Sequence, residues 1–162
     1  MNCPNCGAPM ALAPKNDYYT CAYCTTFYFP EPTEDHVRVL AEPAGMACPR
    51  CHGELVVGVV EGMRVGYCRR CRGILTERPA FGAVVRILRS RANTPAVAPQ
   101  PVDHTQLQRR IVCPQCGRAM DVHPYYGPGN IVIDTCGACQ LLWLDHGELA
   151  SVVSAPGDDR RR

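Results

Sequence analysis

The chain has no apolar stretch long enough to cross a bilayer. Its longest runs, such as Val56 to Val60 and Leu141 to Leu144, fall far short of the roughly 20 residues that a spanning helix needs. No secretory leader is expected, because Met1-Asn2-Cys3-Pro4 runs straight into a cysteine pair with no charged n-region or apolar h-region. An excess of one charge is missing too, with 17 Lys and Arg against 15 Asp and Glu, so any contact with a polyanion has to be local. Catalytic groupings are equally scarce, because no Ser, Asp or Glu arrangement makes His123 or His146 a general base. These absences lead to the expectation of a soluble, cytoplasmic, non-enzymatic chain, with no catalytic residue, no membrane partner and no evident small-molecule substrate.

Cysteine is what the chain has in quantity. There are 12, and they fall into three quartets with none left over. The quartets are Cys3, Cys6, Cys21, Cys24; then Cys48, Cys51, Cys68, Cys71; then Cys113, Cys116, Cys136, Cys139. In each, two Cys-x-x-Cys turns at this separation can close on one ion from opposite sides, so that four thiolates converge on a tetrahedron. That is the layout of a zinc ribbon, and the expected cofactor is zinc, three ions per chain. A module of about forty residues rarely holds together on its apolar core alone. Zinc in such sites contributes roughly 10 to 16 kcal/mol, as much as or more than the net stability of an ordinary domain. The same sulfurs leave other readings open: iron in a rubredoxin-like site, disulfides in an oxidising compartment, and a thiol redox or zinc-ejection sensor.

The expected fold class is therefore small, metal-stabilised and mainly β with short helices, built as three tandem zinc ribbons. Ribbon one spans 1–32 and ends on the aromatic run Phe27-Tyr28-Phe29. The connector that follows carries only a weak strand signal at Val37 to Leu40, and Pro43-Ala44-Gly45 reads as linker. Ribbon two with a helix spans 48–92: Glu54 to Val60 and Met63 to Tyr67 form a hairpin about Glu61-Gly62. Beyond it, Phe81, Val84, Val85 and Leu88 fall on one helical face, with Pro79 in the first turn. A Pro-rich linker at 93–112, expected to be mobile, leads to ribbon three with a helix at 113–154 and a charged tail at 155–162. Trp143 reads as a packing residue, and Asp145 with Glu148 as a capping box at the start of the last helix.

The run Leu142-Trp143-Leu144-Asp145-His146-Gly147-Glu148-Leu149 after the last cysteine pair carries a resemblance. Ribbons two and three resemble the TFIIB-type, or transcription-factor, zinc-ribbon domain. Its pattern is a Cys-Pro-x-Cys turn, a hairpin, a second cysteine pair, an aromatic-apolar strand, then Asp-x-Gly-Glu-Leu and a short helix. Ribbon two departs from it, with Leu75 where Trp143 stands, Glu77 for Asp145, Pro79 for Gly147 and Ala80 for Glu148, while Phe81 matches Leu149. Ribbon one matches only as a generic ribbon. The resemblance implies a fold and a zinc site, and carries little about activity.

Closed four-cysteine sites leave no position for water or substrate, so the ions are read as structural. His52, which follows Cys51 where the corresponding turns carry glycine, is read as an exposed turn residue. The aromatic hairpins and near-neutral charge of ribbons one and three suit a protein partner. Between Ala41 and Ala92, nine Arg face only Glu42, Glu54, Glu61 and Glu77. Within that set Arg69, Arg70, Arg72, Arg86 and Arg89 are the candidate nucleic-acid contacts, because the guanidinium fork suits phosphate. The alternative function is thus a nucleic-acid-binding or transcription-associated protein working through the middle ribbon. Metal analysis of the purified protein should return about three zinc ions per chain; one ion or none would reject the ribbon reading.

Overall fold

The structure is a computed structural model of the whole chain, and residues 1–13, 16–92 and 97–157 are described. Ribbon one is a three-stranded antiparallel sheet of β1 (Met10–Leu12), β2 (Tyr19–Cys21) and β3 (Phe27–Tyr28) in that spatial order. One face of it carries Tyr19, Tyr28, Met10 and Leu12, which pack on Leu40, Val57 and Val59 of the next sheet. The Tyr19 hydroxyl also accepts from the Ala41 N–H at 2.9 Å.

The remaining strands are β4 (Arg38–Ala47), β5 (Glu54–Val60), β6 (Met63–Tyr67), β7 (Ile74–Glu77), β8 (Asp121–Pro124), β9 (Val132–Cys136) and β10 (Leu141–Leu144). They form one sheet in the order β4-β5-β6-β7-β10-β9-β8. The β5–β6 hairpin turns at Glu61 (φ 49) and Gly62 (φ 79), the paired positive φ that the strands' right-handed twist favours. Ribbons two and three are therefore joined edge to edge, through β7 and β10, rather than strung apart. Trp143 pairs with Leu75 in that ladder. These are equivalent positions in the two ribbons, so an internal pseudo-two-fold passes between them.

Side chains alternate across this sheet. One face buries Val60, Val65, Tyr67, Ile74, Ile133, Leu142 and Leu144 under the two helices α1 (Arg78–Arg91) and α2 (Glu148–Ser154). The helical face expected for α1 is the buried one, Phe81, Val84, Val85 and Leu88, with Pro79 in the first turn. The opposite face buries Leu55, Leu75, Leu141 and Trp143 among metal-ligand cysteines of ribbons two and three. All four residues of β10 are buried because both of its faces are covered.

Three segments differ from their sequence reading. The weak connector becomes the ten-residue strand β4, with register shifts on either side of Pro43. An edge strand tolerates proline and bulges, since one row of its hydrogen-bonding groups needs no partner strand. The expected mobile linker is tied down along 97–112: Val97 N–H donates to Ser154 O at 2.8 Å, Asn130 Nδ2 donates to Gln100 O, and a 3₁₀ turn at Gln106–Gln108 lies against β8. Residues 93–96 and most of the charged tail (158–162) lie outside the described residues. Finally, Gly147, with φ 84, precedes the first residue of α2, and free N–H groups at this end are met by a carboxylate from the connector. Asp35 accepts from Gly147 N at 2.7 Å and from Ala150 N at 3.0 Å. Only half of the expected capping box forms, with Glu148 Oε2 accepting from Asp145 N at 2.7 Å.

Gly73, between Cys71 and β7, lies under the Trp143 indole; a Cβ there would overlap the ring and approach the Leu144 carbonyl oxygen to 2.9 Å. Gly73→Ala is expected to destabilise the zinc-loaded protein by about 2 to 3 kcal/mol, measured by urea unfolding. A change within about 0.5 kcal/mol would mean that the indole does not hold this position.

Candidate metal centres

All six Cys-x-x-Cys turns share one backbone design. The residue after each second cysteine has positive φ: Gly7 (75), Thr25 (57), His52 (59), Arg72 (61), Gly117 (70) and Gln140 (56). In five of them its N–H donates to the carbonyl of the first cysteine, as in Gly7 to Cys3 at 2.9 Å and Arg72 to Cys68 at 2.7 Å. The first cysteine's N–H then donates five residues ahead, as in Cys48 to Gly53 at 2.7 Å and Cys113 to Arg118 at 2.8 Å. This tight turn aims both sulfurs to one side. It needs the left-handed conformation, which glycine adopts without a steric cost, and only two of the six turns supply glycine.

Each quartet brings its four Sγ atoms within 4.8 Å of one another. The close pairs are Cys3–Cys24 at 3.5 Å, Cys6–Cys21 at 3.6 Å, Cys48–Cys71 at 3.5 Å, Cys51–Cys68 at 3.4 Å and Cys116–Cys136 at 3.6 Å. A tetrahedron with Zn–S bonds of about 2.3 Å has an edge of roughly 3.8 Å. A disulfide would bring two sulfurs to about 2.05 Å, and all twelve cysteines are free. The quartets fit three zinc ions, which supply the bonds that fix each pair of turns. In every turn the first cysteine is buried and the second lies nearer solvent, with Cys6 and Cys116 exposed.

The protein prepares these sulfurs for metal unequally. The Thr26 hydroxyl, 3.1 Å from Cys24 Sγ, draws that thiol down to about 5. The Gly53 backbone N–H brings Cys51 to about 7, and the Arg118 N–H does the same for Cys116. Cys139 is pushed the other way, to about 12, by sharing its proton with Cys116. Each centre thus holds at least one thiol drawn toward the thiolate form that a metal binds.

The other candidate residues are dispersed. His52 is exposed at its turn and is not part of the metal cluster. Arg69 donates to the Leu40 carbonyl at 3.2 Å. Arg89 caps the C-terminus of α2, donating to the carbonyls of Val152 at 2.5 Å, Ala155 at 2.9 Å and Gly157. Arg70, Arg72 and Arg86 face solvent. His123 lies 3.2 Å from the Thr135 hydroxyl, and His146 lies 3.1 Å from Glu34. Tyr125 packs edge-on against Phe81.

Beside Trp143 lies a polar junction that spacing gave no means of finding. Arg109, its side chain only 15% exposed, pairs with Asp134 and Asp145 at once. Asp145 also takes Arg50 at 2.6 Å and the Trp143 Nε1–H at 3.1 Å, which is why its side chain is not available to cap α2. Burial works to raise Asp145, but the Arg109 guanidinium holds it below the usual carboxylate range; for Asp134 burial wins. Neighbouring Glu148 is pushed up to about 8 by burial, and its Oε1 has no hydrogen-bond partner among the described residues. The only prior signal for Arg109 was a basic residue inside a segment otherwise read as linker.

A family model described as transcription factor zinc-finger, of the TFIIB zinc-ribbon type, matches residues 112–155. This covers ribbon three; the likeness of ribbon two stands on its residues and its cysteine geometry. Comparisons with curated proteins and with solved structures returned no match.

A carboxyl held at about 8 when folded and near 4.3 when unfolded keeps its proton better in the folded state. Its cost to stability is absent below about pH 4 and grows as pH rises towards about 8. Glu148→Gln keeps the oxygen that accepts from Asp145 and removes the titration. Its stability relative to wild type should therefore improve across that window, as read from zinc-loaded unfolding curves. A difference that stays flat with pH would contradict it.

Proposed function

We propose that the chain is a non-enzymatic, cytoplasmic adaptor that holds a protein partner against the outer face of ribbon one. The supporting observation is an aromatic surface assembled there in advance. Phe27 is 60% and Phe29 48% exposed, and Tyr18 packs on both, with ring centroids 5.6 and 5.1 Å apart. The Arg38 guanidinium sits over Phe29 at 5.7 Å and is itself held 3.8 Å from Asp17. The opposite face of the same small sheet is already spent on Leu40, Val57 and Val59. Rigid aromatic and arginine side chains offer a large contact area at low entropic cost, which is how interface anchors work. The charge around them is balanced, which suits a protein surface better than phosphate. Closed sulfur centres give the ions no coordination position for a reactant, in keeping with a binding role. No helix among the described residues is long and apolar enough to cross a membrane.

The second reading, nucleic-acid binding through ribbon two, rests on exposed Arg70 and Arg72 at the second turn and Arg86 on α1. It is weakened because Arg69 and Arg89 spend their donors on backbone carbonyls within the chain. The two readings separate by affinity capture from native cells at low and high salt, followed by reconstitution of the complex from purified components. Phe27→Ala with Phe29→Ala, still carrying three zinc ions, should lower affinity at least tenfold, and Arg70→Ala with Arg72→Ala should leave it unchanged. Binding to nucleic acid that falls steeply with salt and disappears in the arginine variant would overturn the protein-partner reading.

A further inference from the structure

Three metal centres in one chain need not behave alike, and their surroundings differ in kind. Cys48 and Cys68 of the second centre and Cys113 and Cys136 of the third lie in a single buried cluster with Leu55, Leu75, Leu141 and Trp143. Cys51, Cys71 and Cys139 border the same cluster. Each of these ribbons hangs its last strand directly from its second turn, β7 after Cys71 and β10 after Cys139, and those two strands pair with each other. The metal that orders β7 thus builds the edge on which β10 forms, and the reverse holds equally.

Two side-chain contacts tighten this link. The Trp143 indole, fully buried, covers Gly73 inside the second turn of the second centre, where Gly73 O accepts from Cys68 N at 3.0 Å. Arg50, between Cys48 and Cys51, reaches across to Asp145 at 2.6 Å, the carboxylate that also fixes the indole N–H. Both turns of the second centre are therefore held by ribbon three.

Among the described residues the first centre has no such ties. Its ligands lie outside that cluster, and its strands form their own sheet. Ribbon one meets the rest through Tyr19, Tyr28, Met10 and Leu12 and through the Tyr19 hydroxyl on Ala41; Tyr19 and Met10 adjoin Cys21 in its sheet, yet that contact is made by side chains of the sheet face and none of the four sulfurs enters it.

We infer that the second and third centres form one cooperative metal unit, filled and emptied together, whereas the first centre exchanges its ion independently. A half-loaded pair leaves one ribbon unfolded, exposes Trp143, Leu75 and Leu141 to water and deprives the buried group of Arg109, Asp134 and Asp145 of its frame, so singly loaded states are disfavoured. This inference concerns metal loading and stands whether or not the adaptor reading holds.

The test uses the full chain with the first centre disabled as Cys3→Ser with Cys6→Ser, stripped of metal and given one equivalent of zinc. Native mass spectrometry should show empty and doubly loaded chains, with singly loaded chains at least tenfold below the proportion that random filling gives. Singly loaded chains at the random proportion would overturn the inference. The unmodified chain gives a second reading through Trp143, its one tryptophan, during zinc removal by a chelator. One ion should leave without altering the fluorescence, and the other two should leave together with the whole change. A fluorescence change divided over two separately departing ions would overturn it as well.

Discussion

Convergence of four sulfurs on one point is the constraint from which the rest of this molecule follows. Each convergence fixes two tight turns, and each turn launches or receives a strand, so the hairpins of all three ribbons inherit their register from the metal geometry. The backbone accepts some strain to achieve it. His52, Thr25, Arg72 and Gln140 hold positive φ without being glycine, and bonds of the strength zinc offers can offset a conformational cost of roughly 1 kcal/mol at each.

The ribbons are alike in their sulfurs and unlike in how they are used. Ribbons two and three fuse through equivalent strands into one sheet, so that Leu75 and Trp143 meet at the pseudo-two-fold. An aliphatic residue and an indole at matched positions let one large ring fill a space that two tryptophans would overfill. The fusion also creates a buried polar junction at the same place, where Arg109 answers the two carboxylates of Asp134 and Asp145. Such a group of charges is costly to bury and specifies its partners strictly. Here it anchors the connecting segment that sequence composition would have left loose.

Ribbon one is the copy with a surface to spare. Its inner face completes the apolar cover of β5, and its outer face keeps Tyr18, Phe27 and Phe29 together at solvent. Two ribbons fused in one sheet carry a third that has its own sheet and its own sulfur quartet. The arginines of the middle ribbon, by contrast, serve two ends: Arg69, Arg89 and Arg50 stitch elements of the chain together, while Arg70 and Arg72 stay at the surface.

The sequence by itself determined the metal centres, the hairpin at Glu61-Gly62 and the buried stripe of α1, because each is a local pattern: a spacing of two residues, a turn that wants positive φ, a period of 3.6. It also placed Trp143 as a packing residue. What only the tertiary structure decided were contacts between segments distant in the chain. Asp35 caps a helix more than a hundred residues away, Arg109 closes on two carboxylates, Arg89 spends its donors on α2, and β7 finds β10. Strand pairing and the burial of charge depend on which surfaces meet in space. No period or spacing in the sequence records that meeting, because the partners are brought together by the shared core and not by the chain between them.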